Sequence, residues 1–534
     1  MFQGTDFENV IQGVTQPRFD ALGTPTLRFP TLILGTNTST PQRSFQRKYQ
    51  FRDNFSWTLD EHAMKFGVEV LRASEVGADL ATFRGHGSFR YANDGDPLDQ
   101  AVQFTQFKPF KPASVPFTGY GVYAQDDWRV GQVTLNLGVR YDVEIGTLSG
   151  LEYGPTGEFL ITDPRSPFAG QGKPKDDKNN VAPRLGFAWD LGGVGKTVVR
   201  GGWGIFYDKI VALASLFTQL DAGGVEFVFI PNPPFGPNNL PSFEELAAQG
   251  AIPLSFDETL VPNYVFPRSS QFSIGLSHQI NPTLAIDADF IYAKEYNRNK
   301  PSDLNEMMIP NDETSRLFYP ERQGQLLIFE SIARNTYNGL QLSLRKRFAD
   351  RMQFTVNYTL GKAEGYGGFG ISAEAFESEC RACIGDSRDK GPLDNDARHL
   401  FVASGVFRLP ADFQLSALVS LESARPVTAL SSQDQNGNGQ IIDFMPGPNG
   451  ESPGRGNFRG DPTYVVDLRL VKLFRLGETR NVQLMFEGFN LFNVLNEGPE
   501  FENTFESPNF GRWNGTLESG LNQFQAQLGV RFSF

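Results

Sequence analysis

Hydrophobic and polar residues alternate along much of this chain. Over the final eleven residues, Phe524, Ala526, Leu528, Val530, Phe532 and Phe534 are apolar, while Gln525, Gln527, Gly529, Arg531 and Ser533 between them are polar or small. A period of two describes a strand with one greasy and one wet face. The same alternation runs through 133–143, 272–280, 340–345 and 354–360. Many such runs extend to 11–15 residues. Strands of soluble domains have about 5–6 residues, whereas a tilted crossing of a hydrocarbon layer takes about 9–11.

The spacing of the runs adds a second pattern. Long strands are predicted at 43–59, 62–72, 117–130, 133–146, 181–191, 196–208, 267–281, 284–296, 336–348, 351–364, 397–409, 413–427, 463–476, 480–494 and 522–534. Short turns and long loops alternate strictly between them, the loops covering 73–116, 147–180, 209–266, 297–335, 365–396, 428–462 and 495–521. The predicted fold class is all-β: a transmembrane antiparallel β-barrel over 43–534, with short periplasmic turns, long extracellular loops and a periplasmic C-terminus. A soluble sandwich or propeller also alternates, but its strands are shorter and its loops are not gathered at one end. Residues 1–42 form an N-terminal segment. Counted back from the C-terminus, the strand at 43–59 runs inward like the last one, so the number of strands is odd, about fifteen. Single-chain bacterial barrels are normally even. Either 27–34 supplies a sixteenth strand, with Pro30 making it a poor central one, or strands upstream are missing.

Composition changes the picture in three places. No run approaches the roughly 18 uncharged apolar residues of a membrane helix, and mean hydropathy is -0.32, but alternating strands dilute that signal. The net charge of -13 argues against a nucleic-acid partner, which calls for a basic face, and fits acidic loops. The start at Met1 and Phe2 shows neither the basic nor the apolar region of a signal peptide, so an outer-membrane chain would be expected to have lost its leader.

Candidate chemistry is sparse. Asp434, Asn436 and Asn438 place oxygens at positions 1, 3 and 5 of a loop, followed by Gly439, which is how a calcium loop opens. Met445 stands where such a loop takes its closing Glu, so Asp443 would have to substitute. The alternative is an Asn/Gly-rich turn. Calcium is the one metal these residues suggest; no other cofactor is expected. Cys380 and Cys383 form a C-x-x-C pair. In an oxidising compartment a local disulfide is expected, with free thiols, or a metal needing two more ligands, as alternatives. Residues 192–197 imitate part of a phosphate-binding loop but precede an alternating strand, so a hairpin turn is expected. Neither G-x-S-x-G nor H-E-x-x-H occurs, and no enzyme activity is expected. Trp57, Trp128, Trp189, Trp203, Tyr123, Tyr141, Tyr207 and Phe492 lie near predicted strand ends, where they can form interfacial girdles or pack inside the lumen.

Several phrases resemble one family. The run from Tyr120 to Arg129 (YGVYAQDDWR), followed by LNLGVRY at 135–141, is similar to the barrel of TonB-dependent outer-membrane receptors, in particular the Oar-like branch. APRLGFAW at 182–189, VRGGWGIFYD at 199–208, YNGLQLSLRKRF at 337–348, DARHLF at 396–401 and FNLFN at 489–493 follow in the family's order. The resemblance implies a barrel of about 22 strands, preceded by a plug with a TonB box, neither of which is found here. It implies uptake of a bulky nutrient (siderophore, oligosaccharide or peptide), captured by the loops, with TonB as partner only where a longer chain supplies a plug. Outer-membrane lipid is the other expected partner. The resemblance also makes the ending, with Leu528, Val530, Phe532 and Phe534 facing lipid, look like a signal for the barrel-assembly machinery. A passive porin-like channel and a surface adhesion or structural barrel are the alternative functions.

Overall fold

The computed structural model describes the chain except for residues 1–24, 30–31, 36–41, 81–84, 86, 111–112, 210–211, 224, 252–253, 256, 319–325, 368–388, 440–442, 447–452, 478, 497–501 and 513–522. Fifteen long strands follow one another: β1 (Gln42–Leu59), β2 (His62–Leu80), β3 (Phe117–Val130), β4 (Val133–Ile145), β5 (Val181–Asp190), β6 (Thr197–Tyr207), β7 (Arg268–Asn281), β8 (Leu284–Asp303), β9 (Leu327–Ala349), β10 (Met352–Gly365), β11 (His399–Leu409), β12 (Phe413–Glu422), β13 (Thr463–Arg475), β14 (Asn481–Phe489) and β15 (Gln525–Ser533). Each is hydrogen-bonded antiparallel to the next. The ring order sets β15 beside β1. Those two strands run in the same direction, no residue register joins them among the described residues, and nearly all their side chains are exposed.

Register aligns the alternation of neighbouring strands, so one face of the wall is predominantly apolar. Phe55 pairs with Phe66, Val68 with Val122, Ala124 with Val139, Leu137 with Leu185, Trp203 with Phe272, and Leu342 with Tyr358. This face stays exposed at Phe51, Val122, Leu185 and Ile274, the arrangement of a surface turned to lipid. The opposite face carries Arg52, Glu69, Tyr123, Arg140, Arg200, Asp287, Arg345 and Arg469, and forms the lumen wall. The short turns rest on left-handed residues such as Asp60, Gly131, Asp350 and Ala411.

Strand existence matches the expectation in every case; strand length does not. β2, β8 and β9 run on to Leu80, to Asp303 and back to Leu327. They project beyond the lipid-facing belt as paired ribbons. β12 stops at Glu422 instead of 427; Pro426 and Val427 leave the wall and pair with Arg459 and Phe458. β14 stops at Phe489 instead of 494, because Asn490 turns the chain with a φ of 46°.

The long loops were expected to be irregular, and here the structure differs. Short strands at Thr26–Arg28, Ile33–Leu34, Gly87–Arg90, Gln103–Phe107, Glu226–Pro231 and Leu254–Ser255 build a separate six-stranded sheet. The described residues of 27–34 therefore supply no spanning strand; Thr26–Arg28 pairs antiparallel with Ile33–Leu34 and parallel with Gly87–Arg90. Leu27, Phe89, Phe104, Val228, Phe243 and Leu246 form one apolar core here. A second core joins Leu148, Leu160, Leu260, Tyr264, Phe318 and Phe329. Helices α1 (Pro155–Thr162), α2 (Ala212–Ala222) and α3 (Phe243–Ala248) complete this layer. Ser242 and Glu245 form a reciprocal capping box that starts α3.

Candidate functional site: a charged lumen beneath a folded roof

The inner wall is a ladder of paired charges. Glu69 on β2 accepts hydrogen bonds from Gln50 Nε2 at 2.6 Å and Arg52 Nη2 at 3.0 Å, both on β1. Arg140 on β4 lies 3.6 Å from the same carboxylate and donates to Asp142 through Nε and Nη2, each at 2.7 Å. Farther round, Arg200 reaches Asp289 at 2.7 Å, and Arg345 reaches Asp287 at 2.7 Å. Small residues make room for these pairs. A side chain at Gly121 would collide with the Arg140 guanidinium, and one at Gly275 with the Asp289 carboxylate. Charge-assisted pairs of this kind fix long side chains in place.

Where the ladder reaches the long-loop end, wall and loops enclose a cavity of about 240 Å³. Glu69, Arg140, Asp142, Glu144, Arg184 and Lys209 line it with charge, beside Phe206 and Phe266. The Arg184 guanidinium sits 4.5 Å from the centroid of the Phe206 ring, a cation–π contact that holds it against the wall. The cavity offers donors and acceptors of both signs to a polar solute.

The roof is cross-linked by buried charge. Asp389 and Lys300 are fully buried 3.9 Å apart, and Arg455 reaches Asp389 at 3.0 Å. Asp396 joins Arg398 at 3.1 Å to Arg459 at 2.9 Å. These contacts tie the top of β8 to the β10–β11 and β12–β13 loops. Asp176 gathers the β4–β5 loop through the backbone N–H groups of Gly146, Leu148 and Ser149. Burial opposes its ionisation, but the Ser149 hydroxyl and these amides outweigh burial and hold its carboxyl below the usual range.

The residues singled out from sequence are scattered. Asp434 accepts from the amides of Asn438 and Gly439, at 3.0 and 2.7 Å, and Asn436 Oδ1 accepts from Asn438 at 2.9 Å. Asp443 accepts from the amides of Gln435 and Asn436 at 2.6 and 3.2 Å. The loop thus closes on its own backbone, and among the described residues no group of three or more His, Cys, Asp or Glu is placed to hold a metal. Cys380 and Cys383 lie outside the described residues. Leu528, Val530 and Phe532 continue the apolar outer face through Phe486, Leu484 and Val482, and Phe534 follows at the open edge, 91% exposed. Residues 192–195 turn between β5 and β6, with the Gly195 amide bonded to Asp190. Trp57, Trp128 and Trp189 stand on the outer face near the short turns. Tyr123 does not join them: it faces the lumen, where its hydroxyl donates to Asn54 at 2.8 Å. The pairing of the wall charges is not legible in the sequence, because only the register of distant strands brings these partners together.

Comparison with known proteins agrees with this architecture. A family described as outer membrane beta barrel domain matches residues 2–453. None of the curated proteins matches the sequence. Among solved structures, the outer membrane transporter YddB from Escherichia coli superposes with a TM-score of 0.52 at 12% identity, covering 91% of this chain and 53% of that one. A mutant ferric enterobactin receptor from Pseudomonas aeruginosa, in complex with enterobactin, gives 0.50 at 10% identity, covering 95% and 57%. This chain therefore spans little more than half the length of those structures, and at such identity the likeness is one of fold. With its fifteen-strand wall, apolar outer belt and family match, the chain belongs to the outer membrane beta barrel domain family.

Proposed function

We propose that this barrel belongs to an outer-membrane receptor that takes up a bulky, polar nutrient. The observation that carries the reading is the charged cavity beneath the folded roof: paired carboxylates and guanidiniums, held by the wall, meet loops that have cores of their own. A roof of this kind can capture a solute, and the ladder below can hold it by charge-assisted hydrogen bonds. The likeness to a transporter and a siderophore receptor supports the direction, and siderophore, oligosaccharide and peptide are the classes to examine. Energised uptake would further require a plug and TonB. No catalytic step belongs to this reading.

The test uses outer-membrane vesicles bearing the protein and three labelled probes: a ferric catecholate complex, a linear malto-oligosaccharide and a mixed hexapeptide. One probe binds saturably, and Arg140→Gln combined with Arg184→Gln weakens it about tenfold, the equivalent of one charge-assisted hydrogen bond. Steady conductance in planar bilayers without saturable binding of any probe would replace this reading with a passive channel. Cell attachment that requires the loops, again without probe binding, would make the protein an adhesin.

A further inference from the structure

At the other end of the lumen, away from the roof, β11 to β15 and their turns enclose a cleft of about 720 Å³. Five of its lining residues are arginines: Arg351, Arg408, Arg469, Arg475 and Arg531. Their convergence follows from register. Arg408 pairs with Gln414 and Gln414 with Val471; Arg469 pairs with Ser416; Arg531 pairs with Gln483 and Gln483 with Leu473. Arg408, Arg469, Arg475 and Arg531 thus occupy inner-face positions within a few residues of the short turns. Arg351 joins them from the β9–β10 turn, where its φ is 66°.

Two of the five are matched. Arg475 reaches Asp412 at 2.9 Å, and Arg469 lies 3.5 Å from Glu487. Arg351, Arg408 and Arg531 have no carboxylate partner among the described residues; Arg408 instead lies 4.5 Å from the centroid of the Phe348 ring. A surplus of three guanidiniums in one cleft stands out in a chain of net charge -13. Guanidiniums are forked donors that match carboxylate and phosphate oxygens two at a time. Crowding them also raises the local positive potential, which a multivalent anion relieves.

The geometry points to an oxyanion-binding site at the short-turn mouth of the lumen, taking a small solute with two or more carboxylate or phosphate groups. It lies on the inner face, away from the lipid-facing surface, and it is separate from the cavity under the roof. It stands whether or not the uptake reading does.

The test is titration calorimetry on the full chain folded in detergent micelles, with citrate and inorganic pyrophosphate as probes. Both bind saturably and more weakly as salt rises, since ions screen exposed charges. The variant with Arg351→Gln and Arg408→Gln binds at least about tenfold more weakly, the loss of one charge-assisted hydrogen bond. Arg165→Gln combined with Arg298→Gln, an equal change of charge in the roof, leaves binding as it was. Folding of each variant is checked by the mobility difference between heated and unheated samples in detergent gels, and Arg531→Gln serves as a second variant if the double one fails to fold. Equal affinity in wild type and folded variants overturns the proposal. So does the absence of citrate and pyrophosphate binding, including the case where only polyglutamate binds, which would make the cleft a docking site for an acidic polypeptide.

Discussion

Gly67 on β2 shows how one residue shapes the lumen wall. Any side chain there would collide with the Tyr123 ring, which crosses to donate to Asn54 on β1. Removing the side chain at one position lets a large ring lie flat along the wall beside it. Glu258 is the residue with the clearest consequence in solution. Burial within the roof, with the Asp257 charge next to it, pushes its carboxyl from 4.5 up to about 7. The folded roof therefore binds a proton that the unfolded chain releases near 4.5. That contribution to stability is complete below about pH 4.5 and is lost as pH rises through 7. Asp221 is raised in the same direction, by burial first. Amide exchange in the roof should accordingly be faster at pH 8 than at pH 5.5 once intrinsic rates are corrected. Glu258→Gln should remove most of that difference; an unchanged pH dependence would show that Glu258 does not cause it.

At the scale of elements, roof and wall are held by different forces. The wall rests on its continuous ladder of strands, whereas the roof rests on two apolar cores and buried ion pairs. Phe329 belongs to both, since it sits at the projecting start of β9 and is fully buried against Leu260 and Phe217. Phe329→Ala should cost about 3–5 kcal/mol, as large core truncations do, and the loss should stay local. Limited proteolysis should then cut within the loops at 147–180 and 209–266, while the wall keeps its heat-dependent gel mobility. Unfolding of the wall together with the roof would contradict this division. The same division explains why element lengths were misjudged. Alternation marks a strand where one face meets lipid and the other water. Once β8 and β9 rise into the roof, both faces become buried; Asn299, Lys300, Ser302 and Glu330 are all buried there, and the period-two signal disappears.

For the whole molecule, the outer belt is the feature that decides its surroundings. Trp57, Trp128 and Trp189 each lie within two residues of the short-turn end of their strands and are 49, 37 and 46% exposed. Aromatic rings at that level belong to a membrane interface. The protein reconstituted in phospholipid brominated near the headgroup should lose more tryptophan fluorescence than in lipid brominated at the chain ends. Replacing all three by Phe should remove most of the difference. Equal quenching at both depths would remove the case for a girdle at this level. The His62 ring stacks on Trp128 and bonds to Asp126 at 2.6 Å, which places polar groups at the same level as the indoles. At the opposite extreme, β1 and β15 run parallel, so an antiparallel ladder can connect them only through an odd number of further strands.

By itself the amino-acid sequence determined the wall. Period-two alternation depends only on which face each side chain meets, so fifteen strands, their directions and the placement of turns and loops could be read from Gln42 to Ser533. It also determined the outer face, because Leu528, Val530 and Phe532 keep the parity of every strand before them. Only the tertiary structure decided the rest. The roof draws Leu27, Phe104 and Val228 from three distant segments into one core, and no local period records such a meeting. The same holds for the two charged sites. Arg140 meets Glu69 across the strand between them, and Arg408 and Arg531 line one cleft from strands four places apart, because register sets them all on the inner face; along the chain they are ordinary solvated charges.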